Sequence, residues 1–78
     1  MSQFRDIETM VEILNLTIAR QEAEEKFFRR SALASSNEVA HSLFTELADD
    51  MKNYINNLER RRQRLLDALE ALSAAEKE

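Results

Sequence analysis

The sequence predicts an all-α fold, an antiparallel two-helix hairpin that pairs with a second hairpin into a four-helix bundle. Apolar residues recur three and four positions apart from Phe4 to Ala34 and again from Val39 to Leu72, which is the helical period and not the alternation of a strand. Gly and Pro are both absent, so the residues that normally interrupt helices are missing. A single polar break, Ser35-Ser36-Asn37-Glu38, divides the two apolar series.

The first helix is expected over about 3–34, the turn over 35–37 and the second helix over about 37–74, making one domain of the whole chain, 1–78. At the break, Ser35 can accept from the backbone N–H three residues on while Glu38 reaches back, the reciprocal pattern of a capping box. So short a turn forces the helices to be antiparallel neighbours. At ~1.5 Å per residue the first would run about 45 Å and the second nearer 57 Å.

On the first helix the packing stripe is read as Ile7, Val11, Leu14, Ile18, Phe28 and Ala32, interrupted by Gln21. On the second it is read as Val39, Leu43, Leu47, Leu58 and Leu65, with Met51 and Tyr54 three apart on the same stripe. Folding back at residues 35 and 36 sets Gln21 opposite Asp50 and Met51, and Leu14 opposite Leu58. It also brings Asp6, Glu8 and Glu12 level with Arg60, Arg61, Arg62 and Arg64, which predicts an ion-paired, solvated face. Each helix carries a second apolar set: Met10, Ile13, Leu16, Ala23 and Phe27 on the first; Ala40, Phe44, Ala48 and Ile55 on the second. One hairpin cannot bury both sets. A two-fold pairing of hairpins is the simplest closed solution, with Leu14, Ile18, Phe28, Leu43, Leu47 and Leu58 as its self-association core.

Composition points the same way. A chain of 78 residues buries too little surface to be comfortably stable alone. The absence of Cys excludes disulfides, thiolate metal sites and thiol nucleophiles, and the absence of Gly excludes a glycine-rich phosphate loop. Eleven basic against 15 acidic residues give a formal net charge of -4, which disfavours nucleic acid as a partner. No apolar run approaches a membrane span, and the start Met1-Ser2-Gln3-Phe4 lacks a leader pattern, so a cytoplasmic location is expected. His41, the only histidine, has no acid and nucleophile beside it and is read as a surface residue.

The stretch Phe27-Phe28-Arg29-Arg30-Ser31-Ala32, followed by Val39, Leu43-Phe44 and Leu47-Ala48, resembles the half-bundle repeat of the rubrerythrin and ferritin-like superfamily over roughly residues 10–60. The resemblance implies a ferritin-like four-helix bundle in which two short chains supply the four helices. It also implies where a di-iron centre would lie. In that family a glutamate precedes the aromatic pair by six residues, and a Glu/His pair three apart follows on the next helix. Carried onto this chain, those ligands fall on Gln21, Met51 and Tyr54. A neutral amide, a thioether and a protonated phenol are poor ligands for hard iron, so the family site reads as lost. A hydrogen bond from Tyr54 to Gln21, with Met51 filling the metal's place, is the expected replacement.

A rival metal set uses Glu22 and Glu25 on the first helix with Asp49, Asp50 and Asn53 on the second, gathered at a dimer interface to bind or oxidise iron. The reading preferred here is a non-catalytic association or scaffold module with no cofactor, whose partner is a second copy or another protein, with the iron-binding bundle as the alternative.

Overall fold

A computed structural model describes residues 3–76. The start at Met1 and Ser2, on which the compartment expectation drew, lies outside the described residues. Helix α1 spans Gln3–Ala34 and helix α2 spans Glu38–Glu76, and no strand is present among the described residues. The two form a rod of 62 × 16 × 14 Å. No described helix is long and apolar enough to cross a membrane.

The turn is held differently from the expected capping box. Asn37, not Ser35, is the N-cap of α2. Its side-chain oxygen accepts from the backbone N–H of Val39 at 2.9 Å and of Ala40 at 3.1 Å, while its carbonyl accepts from the His41 N–H at 2.9 Å. Ser35 serves the other helix, its hydroxyl donating to the Ser31 carbonyl at 2.7 Å and its N–H to Ala32 at 3.2 Å. The physical reason is reach. An Asx oxygen two atoms from its Cα meets the N2 and N3 amides directly, and once Asn37 takes that role Ser35 is freed to finish α1.

The helices meet along two unbroken series spaced alternately three and four. On α1 the series is Ile7, Val11, Leu14, Ile18, Gln21, Glu25, Phe28 and Ala32; on α2 it is Phe44, Ala48, Met51, Ile55, Leu58, Arg62, Leu65, Leu69 and Leu72. Every one of these positions is buried or half-buried. A mean spacing of 3.5 is that of a coiled-coil seam, so the hairpin is a short antiparallel coiled coil. Ile18, Ile55 and Leu58 form its central cluster with Leu14 packed against them. Nearer the turn, Phe28 stacks on Phe44 with ring centroids 6.3 Å apart, and the neighbouring Phe27 meets Phe28 edge-on at 5.6 Å.

The α1 stripe is as expected, and so are Met51, Leu58 and Leu65 on α2; nearer the turn the two apolar sets of α2 are exchanged, and Ile55 takes the seam in place of Tyr54. Ala48 and Ile55 are buried, whereas Val39, Leu43 and Leu47 face outward, Leu43 at 54% and Leu47 at 40% exposure. Ring stacking selects this face. Phe44 can cover Phe28 only if α2 turns that side inward, and the small Ala48 then lets the backbones approach. The register is close to that of a fold-back at residues 35 and 36: Phe28 stacks on Phe44, and Leu14 packs against the cluster that holds Leu58. Arg29 reaches Asp49 and Arg62 reaches Asn15, six or seven residues off level, because a long helical side chain leans toward the N-terminus of its own helix.

The seam leaves the rod with two unlike flanks. One carries the Arg29–Asp49 and Arg62–Asn15 bridges, with the exposed Leu33 beside Arg29. On the other, Met10 lines a shared groove with Arg61 and Arg64 over Leu14 and Leu65. Following the heptad from these residues, Ile13 and Phe27 on α1 and Leu43, Leu47 and Tyr54 on α2 belong to this second flank, and all five are exposed.

Candidate functional site

Helical phase brings Gln21 and Met51 into the seam, both half-buried, as the resemblance requires of its ligand positions. Tyr54 departs from that placement. It is 43% exposed on the apolar flank, and no hydrogen bond joins it to Gln21. Three residues beyond Met51 lies one flank over from the seam, because the seam itself advances by four to Ile55. The expected Gln21–Tyr54 layer is therefore not formed, and the residues at the three positions are an amide, a thioether and an outward phenol.

The rival acidic set is also divided. Glu25 sits in the seam with its side chain 17% exposed, and Arg29 Nε donates to its Oε2 at 2.8 Å. The other arm of the same guanidinium donates to Asp49 Oδ1 at 3.2 Å, so one cation ties α1 to α2 and engages two of the four carboxylates. The hydrogen bond to Glu25 is the main reason the Arg29 pKa stands above its ordinary value; desolvation opposes it, and Asp49 adds to it. Glu22 and Asp50 are exposed on opposite flanks. Among the described residues no three His, Asp or Glu side chains stand together as a metal-holding group. Within one chain, then, the arrangement favours a charge-compensated strut between helices.

The basic run is not ion-paired with Asp6, Glu8 or Glu12; among the described residues its one carboxylate partner is Glu59, 3.9 Å from Arg62. Arg62 occupies a seam position and donates to Asn15 Oδ1 at 2.9 Å, Arg60 donates to Asn57 at 3.1 Å, and Arg61 and Arg64 border the Met10 groove. Helical phase explains the difference: Arg61 and Arg64 lie on the flank of Met10, whereas Glu8 and Glu12 lie on the opposite one.

His41 has a role that a reading of its neighbours missed. Its Nδ1 lies 2.8 Å from the Ala32 carbonyl. A carbonyl can only accept, so Nδ1 carries the proton and the ring closes the end of α1 from α2. The signal was its position four residues after the N-cap, where an inward side chain meets the terminal carbonyls of the preceding helix. The ring also borders the pocket formed by Ser35, Ser36, Asn37, Glu38 and Ser42, which gathers hydroxyls and one carboxylate at the turn.

Comparison with models of known families, with curated proteins and with solved structures finds no match to this chain.

Proposed function

We propose that this chain is a non-catalytic association module, a ferritin-like half-bundle that pairs with a second copy into a four-helix bundle and from there serves as a scaffold. The observation that carries the reading is the set of exposed large apolar side chains on one side of the rod, Met10, Ile13, Phe27, Leu43, Leu47 and Tyr54, interspersed with charged residues. Monomers seldom leave so many large apolar side chains on one side in water. Total exposed surface argues likewise. The chain presents 6110 Å², against roughly 4,900 Å² for a compact monomer of its 9.1 kDa mass. The difference exceeds the ~800 Å² that each partner contributes to a standard interface.

The chemistry at Gln21, Met51 and Tyr54, together with the Arg29 strut on Glu25 and Asp49, supports a structural role over an iron-handling one. The test is mass in solution by sedimentation equilibrium, followed by ferrous iron content after anaerobic incubation and desalting. A dimer retaining no iron is expected. A monomer at every concentration would sink the association reading. One or two ions retained per dimer, lost with Glu25→Ala, would replace the scaffold with a small iron-binding bundle whose carboxylates meet between copies.

A further inference from the structure

The outer stripe of α1, exposed except at the half-buried Thr17 and Ser31, is complementary to itself when reversed. It comprises eight positions spaced three and four: Met10, Ile13, Thr17 and Arg20, then Glu24, Phe27, Ser31 and Ala34. Laid antiparallel on a copy of itself about residue 22, it sets Arg20 opposite Glu24, Thr17 opposite Phe27, Ile13 opposite Ser31 and Met10 opposite Ala34. Each large apolar side chain meets a small one and each charge meets its opposite. We propose that two hairpins dock with their turns at opposite ends, α1 against α1 and α2 against α2, the reciprocal Arg20–Glu24 pairs flanking the two-fold axis. The proposal rests on the self-association reading above and specifies its geometry.

Three features of the single chain fit this arrangement. Arg20 and Glu24 are exposed and take no part in the ion pairs among the described residues. An Arg four residues before a Glu is the weaker orientation for an i, i+4 pair, which leaves both groups available to a partner. Second, the axis suits both helices. Ile18 packs against Ile55 and Leu58, and Phe28 against Phe44, so residue 22 of α1 is level with about residue 52 of α2. An axis at 52 places Asp50 opposite Tyr54 of the second copy, offering a carboxylate acceptor to a phenol that lacks one in the hairpin. Third, the competing two-fold pairing is penalised. With both turns at the same end, α1 lies on α2 of the second copy and Glu24 faces Asp50, which would place like charges opposite each other twice.

The pairing makes a charge-swap test decisive. E24R alone sets Arg20 against a second cation on the other copy, and R20E alone sets Glu24 against a second anion. Each single variant is expected to weaken dimerisation by about tenfold to a hundredfold in Kd, the range of close interfacial charge pairs. An equimolar mixture of E24R and R20E restores opposite charges at both contacts and is expected to form a heterodimer within about threefold of the wild-type Kd, as is the R20E/E24R double variant with itself. Both sites are on the helix surface, so far-UV helicity at high protein concentration should match the wild type. A dimer unchanged by either single variant, or a mixture no tighter than its parts, overturns the α1-to-α1 pairing while leaving self-association standing. Tighter dimerisation of E24R overturns it too, and points to Glu24 facing Asp50. A wild-type chain that stays monomeric fails the association reading itself, a separate result.

Discussion

Ile55 and Leu47 are two large aliphatic residues eight positions apart on α2, and the fold gives them opposite fates on truncation. Ile55 is 2% exposed in the Ile18–Ile55–Leu58 cluster. Ile55→Ala removes three carbons, about 2.4 kcal/mol of transfer free energy at ~0.8 kcal/mol per group, and the cavity left behind raises the loss to about 3–4 kcal/mol. A domain of 78 residues has on the order of 4–12 kcal/mol of stability in total, so this change consumes a large part of it. Leu47 is 40% exposed in the hairpin, so Leu47→Ala loses only the covered share there, about 1–1.5 kcal/mol. In a dimer that covers the apolar flank its loss grows and appears as a weaker association constant. Urea unfolding at two protein concentrations, one below and one above the wild-type dimer Kd, separates the two. Ile55→Ala should lower the midpoint by the same large amount at both, whereas Leu47→Ala should cost little in dilute solution and more in concentrated. Equal losses for both variants in dilute solution would refute the assignment of Ile55 to the seam and Leu47 to the outer flank.

Other consequences follow from the same contacts. Leu47→Asp should dissociate the dimer and leave the hairpin helical, seen as a halved mass with retained far-UV signal; loss of helix in the folded monomer range would return Leu47 to the seam. Asn37→Ala should destabilise by about 1 kcal/mol in a urea melt, with Ser36→Ala near neutral, because only Asn37 accepts from the first amides of α2. His41→Ala should cost about 0.5–1.5 kcal/mol through the lost Ala32 bond, with faster amide exchange confined to the end of α1. Arg29→Gln should cost less at 1 M salt than at low salt, since the strut to Glu25 and Asp49 is solvent-facing; a loss independent of salt would mean packing and not charge.

The two helices and their break were legible because the 3-and-4 spacing and the lack of Gly and Pro leave no competing element. The inward face of α1 was legible for the same reason, being an uninterrupted series from Ile7 to Ala32. The face of α2 was legible from Met51 through Leu58 to Leu65 but not near the turn. Val39-Leu43-Leu47 and Ala40-Phe44-Ala48 run side by side with equal spacing, and side-chain size favours the first. What selects the second is tertiary: Phe44 has a ring to stack on, and Ala48 allows the close approach this needs. The N-cap is open in the sequence, since Ser35, Ser36 and Asn37 are all capable of it. The partners of the Arg60–Arg64 run are not legible either, because they depend on the flank each arginine takes and on the lean of its side chain along the helix, which carries Arg62 to Asn15. The divided candidate metal set follows from the same choice of face, since it places Glu22 and Asp50 on opposite flanks.

The heptad spacing keeps the outer flank on one side along much of the rod, as the proposed interface requires. In a straight α-helix a stripe repeating every seven residues drifts by ~20° per repeat, so over the four repeats of α1 it would wind by roughly 80°. Supercoiling of α1 with α2 cancels that drift for the seam and, because the whole helix is rotated, for every other heptad-spaced stripe as well. Met10 and Phe27 therefore stay on one side of the rod although they lie 17 positions apart. The polar residues inside the seam, Gln21, Glu25 and Arg62, lower its apolar content and hold it in one register, since a slip by one repeat would part Arg62 from Asn15 and Arg29 from Asp49. A seam fixed in register fixes the relative level of the α1 and α2 stripes too. That is what a second hairpin must meet if Arg20 and Glu24 are to pair on α1 at the same level as Asp50 and Tyr54 on α2.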